Sequence, residues 1–345
     1  MARGTGRGRC ALDALAPQHG GRLRAASRQW GIPLNAWLDL STGINPWPWP
    51  CLDIPDAVWR CLPEEDDGLE GVVRSVLALP DGADCVPVPG SQAAIQCLPR
   101  LREASIVAVP APGYAEHGHW WKRAGHRVLP LSPESMAARL DELDVVVWIQ
   151  PNNPTGATVP VSDLLEWRAR LAARGGWLVV DEAFVEPDPV YSAVSTLGHS
   201  GLVVLRSLGK FFGLAGARGG LLLGPEGLCN ALRRELGPWA VSGPTRWLMA
   251  RALEDTCWQV RARERLKAGS ERLDRMLHDA GLPAEGGTAL FRYCPHPDAA
   301  RLRDALAASG ILVRHFADPA ALRFGLPGSE PEWRRLAAAL ATATA

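Results

Sequence analysis

Lysine is almost missing from this chain. Only Lys122, Lys210 and Lys267 occur, and the other thirty-four of the 37 basic residues are arginine. Net charge is missing too, since Lys+Arg and Asp+Glu balance at 37 each. No overall field therefore draws the chain to nucleic acid or to an anionic membrane. No apolar run is long enough to span a bilayer. The basic N-terminus, MARGTGRGRCALDALAPQ, lacks the apolar core of a signal peptide. The eight cysteines are scattered from Cys10 to Cys294 without a CxxC pair. That argues against a zinc site or a disulfide frame and for reduced thiols in the cytoplasm. No internal repeat or low-complexity linker breaks the sequence, and a length of 345 residues suits two domains sharing a cleft.

Against that scarcity, the position of Lys210 is informative. It lies in GLVVLRSLGKFFGLAGARGG, residues 201–220, among apolar and small residues. An amine can form an imine with an aldehyde and a guanidinium cannot. Desolvation also helps a lysine lose its proton near neutral pH. A lysine whose head snorkels to water is the competing reading. Ser207 lies three residues before Lys210 and Arg218 eight after. Hydroxyl, amine and guanidinium beside a glycine-rich turn suit a phosphorylated aldehyde, with Ser207 and Arg218 on the phosphate and Lys210 on the carbonyl.

Along the chain, residues 1–18 read as a loose arm. His19-Gly20-Gly21 is a turn with a titratable ring, residues 38–41 a short strand, and the Pro/Trp run 46–50 an extended crossing. From residue 51 to about 224, helices and strands alternate. Strands are expected at 85–89, 105–109, 127–131, 144–150, 177–180 and 202–206, with helical stretches at 53–79 and 164–174. Apolar strands in βα units imply a parallel sheet covered on both faces, with ligands bound beyond the strands' carboxyl ends. Gly90-Ser91-Gln92 then opens a helix, a weak signal for a phosphate site. WLVV runs into Asp181, which is either a helix N-cap or an anion that holds a proton on a ring nitrogen. After Trp239 the composition shifts to a smaller α+β unit. It comprises a long helical stretch 243–280, strands at 288–293, 311–315 and 321–325, and helices at 298–309 and from residue 330.

Asn153-Pro-Thr-Gly, Asp181-Glu-Ala and Ser207-Leu-Gly-Lys210, in that order and with an arginine near the end, span about the whole chain. Together they resemble the fold-type I pyridoxal-phosphate (PLP) enzymes of the aminotransferase class I/II family. The resemblance implies an α/β fold. A large domain (51–238) carries a mostly parallel sheet covered by helices. A smaller α+β domain (239–345) and an N-terminal arm (1–50) complete it. It implies PLP as cofactor and a homodimer. By the same likeness Lys210 carries the Schiff base and Asp181 holds the pyridine nitrogen. Asn153 meets the ring hydroxyl and Tyr114 stacks on the ring. Gly90, Ser91, Gln92, Ser207 and Arg218 hold the cofactor phosphate. Arg323 takes the substrate carboxylate, and Arg314, His19, Gly20 and Gly43 complete the substrate site.

Within that family the chain is most similar to the branch that decarboxylates L-threonine O-3-phosphate for cobalamin biosynthesis, itself similar to histidinol-phosphate aminotransferases. The carriers are His19-Gly20-Gly21, residues 38–46, residues 111–116, Asp181-Glu-Ala-Phe184, and Arg314 before Arg323. Phe184 stands where many related aminotransferases have tyrosine. The chain departs at Gly43, where asparagine can occur, and at Leu62, where many relatives carry a tyrosine that reaches the partner's cofactor phosphate. The alternative is a transaminase acting on a phosphorylated amine. A PLP-binding DNA regulator is a poorer fit, because no helix-turn-helix is expected before residue 19 and no basic face shows in the composition. The expected partner is a phosphorylated amino acid, with no nucleic acid, no membrane and no metal.

Overall fold

The computed structural model describes residues 17, 19–50 and 53–344. The loose arm expected over 1–18 lies, apart from Pro17, outside the described residues. Among the described residues twelve strands form two sheets. They are β1 (Leu38–Leu40), β2 (Ala83–Val88), β3 (Ile106–Pro110), β4 (Arg127–Leu131), β5 (Val145–Ile149) and β6 (Trp177–Asp181). Then come β7 (Leu202–Ser207), β8 (Gly220–Pro225), β9 (Gly286–Thr288), β10 (Phe291–Pro295), β11 (Ile311–Ala317) and β12 (Ala320–Gly325).

The larger sheet has the order β2-β8-β7-β6-β5-β3-β4. Only β8 runs antiparallel, to both β2 and β7. All five residues of β5 are buried. Val145 and Val147 pack into one apolar cluster, Val146 and Trp148 into the other. A strand covered on both faces has no polar side, which is why VVVWI shows no alternation. The sequence reading leaves out β8, because GGLLLGP looks like the tail of a glycine turn. It also leaves out the helices Leu23–Trp30 and Glu226–Leu236.

The second sheet has the order β1-β11-β12-β10-β9. Two expectations are corrected there. The single strand expected at 288–293 is a hairpin of β9 and β10, with Phe291 opposite Thr288. The stretch 243–280 is two helices, Gly243–Glu254 and Thr256–Asp279. They break at Asp255, whose carboxylate accepts from the Trp258 N–H at 2.9 Å and so starts the second helix. Strand β1, from the N-terminal segment, pairs in parallel with β11 at the edge of this sheet.

The loop after β5 touches the second sheet backbone to backbone. A Cβ on Gly156 would lie 2.1 Å from the Gly287 carbonyl oxygen, and one on Gly286 would lie 2.1 Å from that of Thr155. Gly156 also has a positive φ of 77°. This contact sets the loop after β5 directly on β9. No described helix is long and apolar enough to cross a membrane.

Candidate active site

Strand β7 is buried along its whole length and ends at Ser207. The loop that follows is anchored on both sides of Lys210. Leu208, Phe211 and Phe212 are buried, and Phe212 stacks on Trp258 at 5.7 Å. Residues 45–49 then strap this loop from outside. The Asn45 N–H donates to the Lys210 carbonyl at 3.0 Å, and the Trp49 N–H to that of Phe212 at 2.9 Å. Asn45 Nδ2 donates to the Phe211 carbonyl at 2.8 Å. The Pro/Trp run is thus an extended crossing as expected, and its two tryptophans are used inside the chain. Trp47 Nε1 donates to Gly328 O at 2.7 Å, and Trp49 Nε1 to Asp255 Oδ2 at 3.1 Å.

Two cavities meet at Lys210. One, of about 130 Å³, is lined by Ser91, Gln92, Asp181, Phe184, Ser207 and Arg218. The other, of about 230 Å³, is lined by His19, Gly20, Ser41, Arg314, Phe316 and Arg323. Tyr114, Asn153 and Lys210 line both and form the waist between them. A larger hollow of about 610 Å³, near Leu62 and Trp247, has neither lysine nor tyrosine in its wall and lies apart from this site.

Lys210 Nζ lies 5.4 Å from the Phe184 ring centre. Burial lowers its pKa to about 8; Arg323 and Arg218 push the same way, and Asp181 opposes them. At pH 7 a shift from 10.5 to about 8 raises the neutral fraction from about 0.03% to about 10%. This shift is in the direction that the desolvated-amine reading expects.

Asp181 is buried at the end of β6. Its Oδ1 accepts from the Ala183 N–H at 3.1 Å, and its Oδ2 lies 2.8 Å from His117 Nε2. The sequence reading misses His117. It is three residues after Tyr114, so one helical turn brings it to the same face, but nothing in the sequence links it to Asp181. Tyr114 Oη donates to Gln92 Oε1 at 3.1 Å. Burial holds the Tyr114 phenol well above its ordinary pKa, so it stays neutral.

The arginines come from the other sheet. Arg314 on β11 and Arg323 on β12 are directly paired across the strands and share one face. Two like charges side by side are unfavourable unless an anion lies between them. Burial first, and then Arg314, lower the Arg323 pKa to about 10. Arg323 donates to Asn153 Oδ1 and, at 2.9 Å, to Ser41 O. Its Nε is buried with no hydrogen-bond partner among the described residues. Arg218, with φ +56°, lays its guanidinium on Gly90, where a Cβ would sit 2.5 Å from Nη2. Gly43 lies behind the wall. A Cβ there would meet the Phe184 ring at 2.8 Å and the Phe291 ring at 3.0 Å, so this chain has no room for a larger residue at that position.

The chain can be set beside known proteins on this geometry. A family profile described as "Aminotransferase class I and II" matches residues 75–343. The chain is 51% identical over 324 residues to a threonine-phosphate decarboxylase of Pseudomonas aeruginosa, covering 94% of this chain and 97% of that one. It is 40% identical over 331 residues to a threonine-phosphate decarboxylase of Sinorhizobium sp, again covering 94% and 97%. In fold it is similar to a histidinol-phosphate aminotransferase of Sinorhizobium meliloti solved with pyridoxal-5'-phosphate. That match has a TM-score of 0.83 at 20% identity and covers 99% of this chain and 98% of the other. The α/β architecture is thus the one the sequence motifs imply, and the chain belongs to the aminotransferase class I and II family.

Proposed function

We propose that this chain is a PLP-dependent carboxy-lyase. It converts L-threonine O-3-phosphate to CO2 and (R)-1-amino-2-propanol O-phosphate, the product that the resemblance ties to cobalamin biosynthesis. The observation that carries this reading is the pairing of Arg314 with Arg323 in a cavity that opens onto Lys210. Two cations and an imidazole suit a substrate with two anionic ends.

The smaller cavity fits PLP. Arg218 on the Gly90 cradle, with Ser91, Gln92 and Ser207, would hold the phosphate, which carries about −1.5 to −2 charges. Asp181 would hold the pyridine nitrogen, oriented by His117 and the Ala183 N–H. Asn153 would meet the ring hydroxyl, and Tyr114 would cover the ring. When bound, the cofactor supplies an electron sink for the breaking Cα bond. Lys210 would be the covalent anchor and, once released as an ammonium, would supply the proton that Cα takes up in place of CO2. Arg323, on the cavity wall, takes the carboxylate, and Arg314 and His19 take the substrate phosphate. Fixing both ends sets the rotation about Cα and so decides which of its bonds is cleaved.

The test is turnover of O-phosphothreonine with and without 2-oxoglutarate. CO2 released in step with substrate loss, without a keto acid, supports the decarboxylase. Dependence on the keto acid would make the chain a transaminase of the histidinol-phosphate type. Arg314→Ala should raise KM for O-phosphothreonine by about ten- to more than a hundred-fold, since a charged hydrogen bond contributes roughly 1.5–3 kcal/mol. Cofactor absorbance should be unchanged. An unaltered KM would remove Arg314 from the site.

The same reading includes a division near residues 50 and 238 into arm, cofactor domain and small domain, which the two separate sheets support. It also includes a cytoplasmic homodimer. The Trp47–Gly328 and Trp49–Asp255 bonds mean that the arm's tryptophans do not call for a partner subunit. The support comes instead from Leu62 and Trp239, each about 60% exposed on two hollows that share Pro63, and from Trp59, which is similarly exposed. The six described cysteines are free thiols. Sedimentation of a fully active monomer would overturn the dimer.

A further inference from the structure

One buried charge beside the site has no part in the chemistry above. Glu116 lies in the helix Ala115–Arg123, two residues after Tyr114. Its Oε1 is 2.6 Å from His19 Nε2, while Oε2 accepts from Gln92 Nε2 and Trp120 Nε1, both at 2.7 Å. Burial acts to raise the Glu116 pKa, but the hydrogen bonds from Trp120, His19 and Gln92 outweigh it and hold the carboxyl below its ordinary range. Glu116 is therefore ionised at neutral pH, with both oxygens engaged by donors.

His19 stands differently. Its backbone is tied down, since a Cβ on Gly20 would lie 2.4 Å from Ser41 O and the Gly21 N–H donates to Ser41 Oγ at 2.7 Å. Its side chain is 40% exposed and would be free to swing into solvent without a partner. The Glu116 contact stops that. It holds the ring over Tyr114, centroids 5.7 Å apart, at the rim of the cavity that holds Arg314 and Arg323. An exposed His–Glu pair contributes little. This carboxylate is only 10% exposed and is fixed by Gln92 and Trp120, so it cannot follow the histidine outward.

We propose that Glu116 is a positioning residue that latches the N-terminal segment over the site. It engages His19 Nε2 and, with the ring as imidazolium, leaves Nδ1–H to donate to the substrate phosphate. The proposal rests on the phosphorylated-substrate reading for what Nδ1 meets; the latch itself does not.

The experiment compares Glu116→Gln, His19→Ala and the double variant in the PLP-loaded enzyme. Each single change should raise KM for O-phosphothreonine about ten-fold and lower kcat by less than that, since Arg314 still holds the substrate phosphate. The double variant should be no worse than the worse single one, because Glu116 acts through His19, which the double variant already lacks. Amide hydrogen exchange should quicken across residues 19–30 in both single variants, and the helix Ala115–Arg123 should stay protected. His19→Ala reads the latch without altering a buried group. Additive effects on KM, or exchange of 19–30 as slow as in the parent, would overturn the latch. So would loss of cofactor absorbance in Glu116→Gln with unchanged exchange, which would mean that Glu116 acts through Gln92. If the parent enzyme fails to turn over O-phosphothreonine, the proposed function falls and the exchange measurement still decides the latch.

Discussion

Lys210→Ala is expected to lose turnover by about four to six orders of magnitude, together with the visible absorbance of lysine-bound PLP. The reason lies in the loop as much as in the amine. Asn45 and Trp49 hold the backbone at Lys210 and Phe212, and Leu208, Phe211 and Phe212 are buried. The side chain therefore leaves from one fixed point at the waist of the two cavities. Neither Lys122 nor Lys267 lines either cavity. Arg218 and Ser207 remain in the variant, so PLP should still bind, but reversibly and removable by dialysis. The pKa of about 8 gives a further sign. Below it the amine is mostly protonated and cannot attack an aldehyde. Loading of PLP into the apo-protein should quicken about ten-fold per pH unit up to about pH 8 and then level off. A variant that keeps both absorbance and turnover would refute the assignment of Lys210 and, with it, the proposed chemistry.

The second large effect belongs to Asp181→Asn, for which turnover should fall by about two to four orders of magnitude. Asparagine keeps the shape and can still accept from the Ala183 N–H, so the fold should hold. On the proposed reading, what is lost is the negative charge that would keep a proton on the pyridine nitrogen and let the ring draw electrons from Cα. Thermal melting close to the parent, alongside the rate loss, separates this from a structural defect. A near-normal rate would mean that Asp181 acts only as the cap for Ala183.

The parts of the site that the sequence made legible are those written in a few consecutive residues. An apolar strand followed at once by Asp181, or by Ser207 and Lys210, announces both the element and the residue at its carboxyl end. The same locality marks Asn153, where Pro151 and Pro154 forbid a helix. Arg314 and Arg323 could be picked as candidates, but their direct pairing across β11 and β12 depends on register, which the spacing alone does not give. His117 and Glu116 were illegible for a different reason. Their partners lie 64 and 97 residues away in sequence, and a histidine or glutamate at a helix start is an ordinary surface pattern. Strand β8 was hidden because leucines flanked by glycines read as a turn until β2 and β7 are seen to enclose them.

The strap of residues 38–49 bears on how the protein is made. These residues leave the ribosome early, yet their partners come late. Lys210 and Phe212 are more than 160 residues downstream, and β11 and Arg323 are some hundred further on. Through most of translation Trp47 and Trp49 have no surface of their own to bury them. The larger sheet can pair from residues 83–225 alone, but the substrate wall cannot close until residue 323 has been made. A chain that stops before β11 would hold the lysine loop and expose the strap, a form open to proteases and chaperones. The substrate cavity is thus complete only once β12 has been made.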